Sequence, residues 1–326
     1  MRIGCLFTAR NEADLIVPNL AYHRHLGVTD VFAFLDRSTD GTRRFLKSQP
    51  GTRVFEDLAL DQLLPYSAGK PDLDLDLIQR RFTAHNGIRQ ILHANMALDL
   101  CRREGIDWLV NIDPDELLLP VSQGAGQGAL RDFLGQAAPS IGAFVFENLE
   151  FIPLQMNPSP LFSGRFFKVP MPGIDLTGLP KSTLPDSRTK EVVPTGWFWG
   201  HTSGKLAVRV ASAMAFSHLV SRFQTTGRVV RTNWLLHYNI LGFQHFLTKY
   251  RNFSDFPSHT SLGRPVRASR LLLVELVNGG RLGEAELEEY FRTNILYRPD
   301  EVAFIKDRCP AAIAEIAGAE TFFGAS

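Results

Sequence analysis

The stretch Asp107-Trp-Leu-Val-Asn-Ile-Asp-Pro-Asp-Glu-Leu-Leu-Leu-Pro120 combines an apolar segment with a cluster of acids. The run from Trp108 to Ile112 is short enough to be a buried strand. The carboxylates of Asp113, Asp115 and Glu116 follow, and the proline between them disfavours helix at the residue before it, so the chain should leave the sheet here. Closely spaced carboxylates at a strand end suit a hard divalent cation bound beside substrate phosphates. The same three carboxylates are equally compatible with a solvated turn. This stretch alone does not distinguish a metal site from such a turn.

Composition sets the broad class of the protein. The 326 residues allow one large domain or two, and 44% apolar with 21% charged residues is typical of a globular protein. The net charge of +1 gives no basic field for nucleic acid. Three scattered cysteines without a CxxC pattern indicate neither a disulfide framework nor a cysteine zinc site. Because the first strand starts at Ile3 and no run approaches roughly 20 apolar residues, we expect no signal peptide, no transmembrane segment and a cytoplasmic location, which leaves peripheral membrane contact open.

Strand and helix patterns alternate through the first 56 residues, as in a parallel sheet with right-handed crossovers. Ligands bind outside the carboxyl ends of the strands in such sheets, so Asn11, Asp36 and Asp113 should lie at one edge. The predicted elements are strand 3–9, helix 13–26 with Pro18 in a first turn or at a kink, strand 31–35, a helix from residue 42 to 47 and strand 52–55.

The rest of the chain is less uniform. Residues 153–200 are rich in proline and glycine without regular periodicity, and we interpret them as an acceptor-facing or lid region. The predicted division is a domain of residues 1–255 and a helical extension of residues 256–326. The remaining predicted elements are helices 77–103, 130–134, 242–251, 267–277, 283–291 and 300–317, and strands 141–146, 206–210 and 234–240.

Several motifs resemble those of family 2-like glycosyltransferases, in the group related to the family 92 enzymes. The segment from Thr8 to His23 resembles their opening "KNE…L.EW..(Y/H)H", and residues 36–42 resemble "D…S.DGT". Trp108 to Leu118 resembles "W(L/I)…(I/L)D.DEF(L/I)", with Leu117 where an aromatic residue is usual. Later matches to the "K…R", "H" and "HY…F..K" elements are Gly204–Arg209, Ser217-His218, Leu235–Tyr238 and Phe246–Lys249.

The resemblance implies an α/β GT-A fold, which is Rossmann-like with a mostly parallel central sheet, and a helical C-terminal extension. It also implies a divalent metal, Mn²⁺ or Mg²⁺, and a nucleotide-sugar donor, with a UDP-sugar expected first and a GDP-sugar as the alternative. The implied metal residues are Asp113, Asp115, His218 and His237. The implied donor-binding residues are Thr8, Arg10, Asn11, Glu12, Asp36, Asp113, Lys205 and Lys249.

Other readings stay open for several of these residues. Asn11 could cap the helix that follows, and His237 could be an ordinary core histidine. Glu116 could support the metal ligands from behind or begin a helix. Ser38, Asp40 and Gly41 could simply form a turn. His201, flanked by Trp197 and Trp199, could belong to a sugar-stacking site or to plain packing.

The expected activity is metal-dependent, inverting transfer of a sugar to a glycan or other hydroxyl acceptor in bacterial-type glycan or glycoconjugate synthesis. Asp115 is the expected catalytic metal residue. A general base must also activate the acceptor, and the candidates are Glu147, Glu150, Asp186 and Glu191, of which Glu150 is chosen for its position after a strand. One alternative is a sugar-phosphate nucleotidyltransferase, although the loop after the first strand lacks the glycines such an enzyme needs. Another is a non-catalytic carbohydrate- or nucleotide-binding protein, which the intact acids disfavour.

Overall fold

The structure is a computed structural model that describes residues 1–67, 74–83, 86–120, 124–189, 191–216, 223–253, 268–316 and 322. The strands are β1 Ile3–Ala9, β2 Asp30–Leu35, β3 Thr52–Glu56, β4 Trp108–Asn111, β5 Glu116–Leu119, β6 Ile141–Phe151, β7 Phe166–Lys168, β8 Thr183–Pro185, β9 Val192–Pro194, β10 Lys205–Arg209, β11 Ala213–Phe216, β12 Phe223–Thr225, β13 Arg228–His237 and β14 Ile313–Glu315. The helices are α1 Ala13–Leu26, α2 Thr42–Ser48, α3 Leu60–Leu63, α4 Leu75–Arg81, α5 Asn86–Glu104, α6 Ala129–Gly135, α7 Phe243–Asn252, α8 Ala268–Asn278, α9 Glu284–Asn294 and α10 Pro299–Arg308.

The chain forms two compact units. Met1–Glu147 and Ser203–Leu235 make the first unit, and Asn148–Thr202 and Leu236–Ser326 make the second. The predicted boundary between residues 255 and 256 falls within 254–267, outside the described residues. None of the helices in the described ranges is both long enough and apolar enough to span a membrane.

The first unit is built on a mostly parallel sheet, which confirms the predicted α/β class. Its strands lie in the order β10-β4-β1-β2-β3, and the first part of β6 pairs with β10. β1 is parallel to both β2 and β4, and β2 is parallel to β3, whereas β10 is antiparallel to β4. Nearly every residue of β1, β2 and β4 is buried, as expected for strands covered on both faces.

The strand order reverses between β1 and β4. The chain moves outward from β1 through β2 to β3, then returns along α5 to place β4 on the other side of β1. A reversal of this kind opens a crevice at the carboxyl ends of the two strands, where ligands of open α/β sheets bind. The residues after Ala9 and after Asn111 therefore flank a candidate crevice.

Helix α1 begins and ends where the sequence predicts. Its buried face includes Leu15, Ile16, Leu20 and Leu26, and it tolerates Pro18 in its second turn. Gly27 ends the helix with a φ of 112°, a left-handed conformation that glycine adopts without a steric penalty.

The predicted helix 77–103 is wrong as a single element, because α4 and α5 are separate. The Arg89 side chain donates hydrogen bonds to the carbonyl oxygens of Phe82 (2.8 Å) and Thr83 (2.9 Å). These bonds satisfy carbonyl groups that would otherwise need a continuing helix. The chain therefore leaves the first helix in a turn at residues 82–83, which a side chain of the second helix stabilises.

The second unit has its own core. Helices α7, α8 and α9 contribute Phe246, Leu272 and Phe291 to one buried cluster. Within residues 153–200 the structure forms the three short strands β7, β8 and β9, of which β8 and β9 pair with each other. The predicted helix 300–317 is too long, since α10 ends at Arg308 and Pro310 starts a 3₁₀ turn. Strand β14 follows and pairs with β7.

Candidate functional site

The cluster of acids occupies a tight turn at the end of β4. The backbone N–H of Asp113 donates to Glu116 Oε2 (2.7 Å), and the N–H of Glu116 donates back to the Asp113 carbonyl (3.0 Å). Asn19 on α1 donates from Nδ2 to the carbonyls of Pro114 (2.9 Å) and Glu116 (2.8 Å). Glu116 begins strand β5, so the reading of Glu116 as a helix-start acid is wrong.

Lys205 lies against these acids. Its Nζ is 2.6 Å from Asp113 Oδ2 and 3.2 Å from Glu116 Oε2, and only 4% of its side chain is exposed. Burial raises the pKa of Asp113, as do its neighbours Glu116 and Asp115, while Lys205 opposes the rise. Burial alone would lower the pKa of Lys205, but attraction to Asp113 and Glu116 raises it above its ordinary value.

This donor set fits a divalent cation. Asp115 and Glu116 are buried and Asp113 is partly exposed, so the three carboxylates lie close together in a poorly solvated turn. Buried carboxylates are stabilised by cations and by hydrogen-bond donors. Carboxylate oxygens are the ligands that Mg²⁺ and Mn²⁺ prefer.

The loops after β1 and β2 hold each other in place. Asn11, at a φ of 53°, accepts a hydrogen bond at Oδ1 from the N–H of Thr39 (2.8 Å). Asp40 accepts from the N–H groups of Ala13 (3.0 Å) and Thr42 (3.1 Å). The N-cap position of α1 is Glu12, so the alternative that Asn11 caps this helix is wrong. A carboxylate from the neighbouring loop serves the helix terminus instead, and Asp40 has the turn-forming role that was left open.

Three polar residues of α5 that were not predicted from the sequence contact predicted site residues. Arg89 donates from Nη2 (2.6 Å) and Nε (3.2 Å) to Asp36 Oδ2. Gln90 donates from Nε2 to Asp113 Oδ1 (3.3 Å), and His93 Nδ1 is 2.9 Å from the Thr8 hydroxyl oxygen. Arg89 and His93 are four residues apart on one helix face, and such a polar pair on an otherwise buried helix was the available signal. The first unit thus groups Thr8, Arg10, Asn11, Glu12, Asp36, Asp113, Asp115 and Lys205 at or beside the ends of β1, β2, β4 and β10.

His93 should make the protein sensitive to mild acid. Burial lowers its pKa to about 3, and its ring stacks on Phe34 with centroids 4.4 Å apart. The unfolded chain takes up a proton near pH 6.5 that the folded protein refuses, so stability is lost as pH falls below 6.5. Between pH 7.5 and 5, wild type should lose about 2 kcal/mol more unfolding free energy than His93→Gln, which keeps a hydrogen-bonding group but does not titrate. Urea unfolding at both pH values measures the difference, and equal losses in the two proteins would contradict the assignment.

Glu150 lies inside β6, because this strand continues to Phe151 and the prediction that it ends at Phe146 is wrong. Its carboxylate accepts from the N–H groups of Trp199 (2.8 Å) and Gly200 and pairs with Lys168 (3.3 Å). Both residues of the Glu150–Lys168 pair are almost fully buried. Both oxygens of Glu150 are therefore occupied by hydrogen bonds or the ion pair, and they hold the backbone of residues 199–200 in position. This geometry does not favour Glu150 as the general base. Lys168 was missed because no motif marks it.

The other base candidates differ in environment. Hydrogen bonds from the Arg188 side chain and backbone lower the pKa of Asp186 to about 2, which makes this carboxylate a weak base at neutral pH. Glu147 is 3.6 Å from Arg231, with 40% of its side chain exposed. Glu191 is exposed. The choice of base among these acids stays a prediction.

His201, His237 and Lys249 lie in the second unit. The rings of His201 and His237 stack with centroids 4.6 Å apart, and Asn148 Nδ2 is 3.3 Å from His237 Nδ1 and donates to the His201 carbonyl. Lys249 donates to the backbone oxygen (2.8 Å) and Oδ1 (2.9 Å) of Asn239. His218 lies outside the described residues. The metal and phosphate roles of His237 and Lys249 therefore stay predictions from the sequence.

Comparisons with known proteins show remote relatives. No protein-family model matches the chain. Two glycosyltransferase-like proteins of Arabidopsis thaliana are 22% identical over 151 residues and 24% identical over 152 residues, in each case 45% of this chain. These matches cover only 29% and 33% of the two relatives, so the chain spans about a third of their length.

Similar solved structures include residues 1–349 of S. aureus TarS in complex with UDP, at 12% identity and a TM-score of 0.37, covering 90% of this chain and 70% of that fragment. A further one is glucosyl-3-phosphoglycerate synthase from Mycobacterium tuberculosis in complex with Mn²⁺, UDP and glucosyl-3-phosphoglycerate. It is 15% identical with a TM-score of 0.32, over 78% of this chain and 81% of that protein.

Proposed function

We propose that this protein is a metal-dependent glycosyltransferase that uses a nucleoside-diphosphate sugar. The observation that carries the proposal is the reversal of strand order between β1 and β4, which puts the carboxylate turn and the loop after β1 at the ends of neighbouring parallel strands. A nucleotide bound in this crevice has acids at one end of the site and a polar loop at the other. The remote glycosyltransferase-like relatives support the same class of activity.

The nucleoside side of the proposed site is formed by the loops after β1 and β2. Thr8, Arg10, Asn11 and Glu12 follow or end β1, and Asp36 follows β2. The ion pair with Arg89 fixes the position of the Asp36 carboxylate, which is a hydrogen-bond acceptor. A fixed carboxylate can accept hydrogen bonds from ribose hydroxyls or from the N–H of uracil or guanine. Both UDP and GDP offer such donors, and the motif resemblance makes UDP the first expected nucleotide and GDP the alternative.

The diphosphate side is formed by Asp113 and Asp115, with Glu116 and Lys205 behind them. A divalent cation held by these acids would stabilise the negative charge that develops on the nucleoside diphosphate as the sugar departs. Asp113 is oriented by Gln90 and Lys205, and the turn that carries Asp115 is fixed by Asn19. The protein thus supplies a preorganised set of oxygen ligands.

The finer parts of the proposal rest on the sequence. They are inversion at the sugar carbon, a glycan or other hydroxyl acceptor facing residues 153–200, a role in bacterial-type glycoconjugate synthesis, a cytoplasmic location, and metal binding by His237. A relation to the family 92 group is also part of the proposal, because it rests on sequence motifs alone.

A thermal-shift panel tests the proposal. UDP, GDP, CDP and dTDP are each added with and without Mn²⁺, and at saturating ligand a shift of several degrees is expected for one or two nucleotides only. The shift should be larger with Mn²⁺ than the separate effects of metal and nucleotide combined. If none of the four nucleotides raises the melting temperature under either condition, the proposal fails at its first step.

A further inference from the structure

The Gly204-Lys205 dipeptide brings strand β10 unusually close to its neighbour. A Cβ at Gly204 would lie 2.0 Å from the carbonyl oxygen of Phe146, so only glycine permits this approach. Lys205 on β10 then pairs with Phe146 on β6, and Ala207 on β10 pairs with Val110 on β4. This strand pairing places Lys205 at the carboxyl end of β4, next to the cluster of acids.

The ammonium group of Lys205 bridges two of the three carboxylates. It contacts Asp113 Oδ2 and Glu116 Oε2 from a side chain that is almost wholly buried. Glu116 is completely buried and already fixed by the N–H of Asp113. One fixed positive charge therefore lies within the set of ligands proposed for the metal, and it partly neutralises them before any cation arrives.

We propose that Lys205 is a built-in cation that weakens divalent-metal binding in the absence of nucleotide and favours the nucleoside diphosphate. The inference rests on the proposed function and concerns the regulation of the same site. A divalent cation near Asp113 is repelled by Lys205, whereas a diphosphate is attracted by it. The metal is then held weakly until the diphosphate adds negative charge, so metal and nucleotide load together.

Replacing Lys205 should therefore shift the two affinities in opposite directions. In Lys205→Met, Mn²⁺ should bind the nucleotide-free protein about tenfold more tightly or better, and UDP without metal should bind about tenfold more weakly. Lys205→Arg keeps the charge and should change both affinities much less. Titration of free Mn²⁺ by electron paramagnetic resonance and of UDP by calorimetry gives both values without an activity assay. A lysine that only supported the fold would leave both affinities weaker when it is replaced.

The wild-type protein tests the inference even if Lys205→Met does not fold. Its Mn²⁺ affinity should be in the millimolar range without nucleotide and tighten at least about tenfold when UDP is present, a coupling of ordinary size. Two results would overturn the role of Lys205 but leave the proposed function intact. One is tight Mn²⁺ binding without UDP. The other is unchanged Mn²⁺ and UDP affinities in Lys205→Met while UDP still promotes Mn²⁺ binding. Absence of Mn²⁺ binding with every nucleotide tested would instead overturn the metal dependence in the proposed function.

Discussion

Asp115→Asn should abolish metal-dependent nucleotide binding and reduce sugar transfer by about 10²–10³-fold or more, the range seen when a group that stabilises transition-state charge is removed. Asp115 is buried in the turn after β4, and the substitution removes one negative charge while keeping the side-chain size. UDP affinity without Mn²⁺ should change little, whereas the gain that Mn²⁺ confers should disappear. Calorimetric titration of UDP with and without Mn²⁺ measures this gain.

Asp107→Asn is the matched control for this experiment. Asp107 precedes the same strand at its opposite end, is exposed, and accepts a hydrogen bond from the N–H of Arg2 (2.7 Å). Its replacement should leave Mn²⁺-dependent UDP binding at the wild-type level. If Asp115→Asn behaves like Asp107→Asn in binding and turnover, the metal role assigned to Asp115 is wrong.

Glu150→Ala should destabilise the protein by about 3–5 kcal/mol, because it leaves the buried Lys168 without its carboxylate partner. It also removes the acceptor of the Trp199 and Gly200 N–H groups. Lys168 lies within 5.3–5.4 Å of the ring centres of Trp197, Trp199 and Tyr297, so tryptophan fluorescence should follow the transition during urea unfolding.

Two comparisons separate the buried charge from the rest of the effect. Glu150→Gln combined with Lys168→Met removes both charges and should cost clearly less than Glu150→Ala, because neither ion is left alone. Glu315→Ala breaks the exposed pairs with Lys306 and Arg165, and each pair should contribute less than about 1 kcal/mol. A loss below about 1 kcal/mol for Glu150→Ala would show that the buried pair does not support the second unit.

The elements that sequence predicts well are those whose signal is local. Strand β1 and helix α1 have the predicted boundaries because each carries its full apolar pattern and a clear end, Arg10 for the strand and Gly27 for the helix. The acidic turn was also predictable, since Pro114 and the flanking apolar runs lie within one short stretch.

The elements that sequence misses depend on distant partners. Strand β6 extends past Phe146 because the carboxylate of Glu150 is compensated by Lys168, which is 18 residues away. A charged residue beyond an apolar run otherwise indicates that the strand has ended. The break between α4 and α5 likewise depends on where the Arg89 side chain finds its acceptors.

The candidate site shows the same limit. Spacing and resemblance single out Asp113 and Asp115 as candidates, but the contacts of their side chains cannot be predicted from the sequence. Lys205 reaches Asp113 across 92 residues of sequence, and Gln90 reaches it across 23. These contacts follow from strand order, which no local pattern encodes. The resemblance implies donor binding for Lys205, and its contact with the acids leads to its proposed effect on metal affinity.

Product analysis after incubation with nucleotide sugars and Mn²⁺ tests the central claim most directly. We predict that wild type releases a nucleoside diphosphate from a UDP-sugar or a GDP-sugar, and that release stops when the metal is chelated or Asp115 is replaced by Asn. Slow transfer to water is sufficient for detection without a known acceptor. Formation of pyrophosphate from a nucleoside triphosphate and a sugar phosphate would contradict the claim and indicate a nucleotidyltransferase. Nucleotide-sugar binding without any turnover, with every hydroxyl acceptor supplied, would indicate a binding protein.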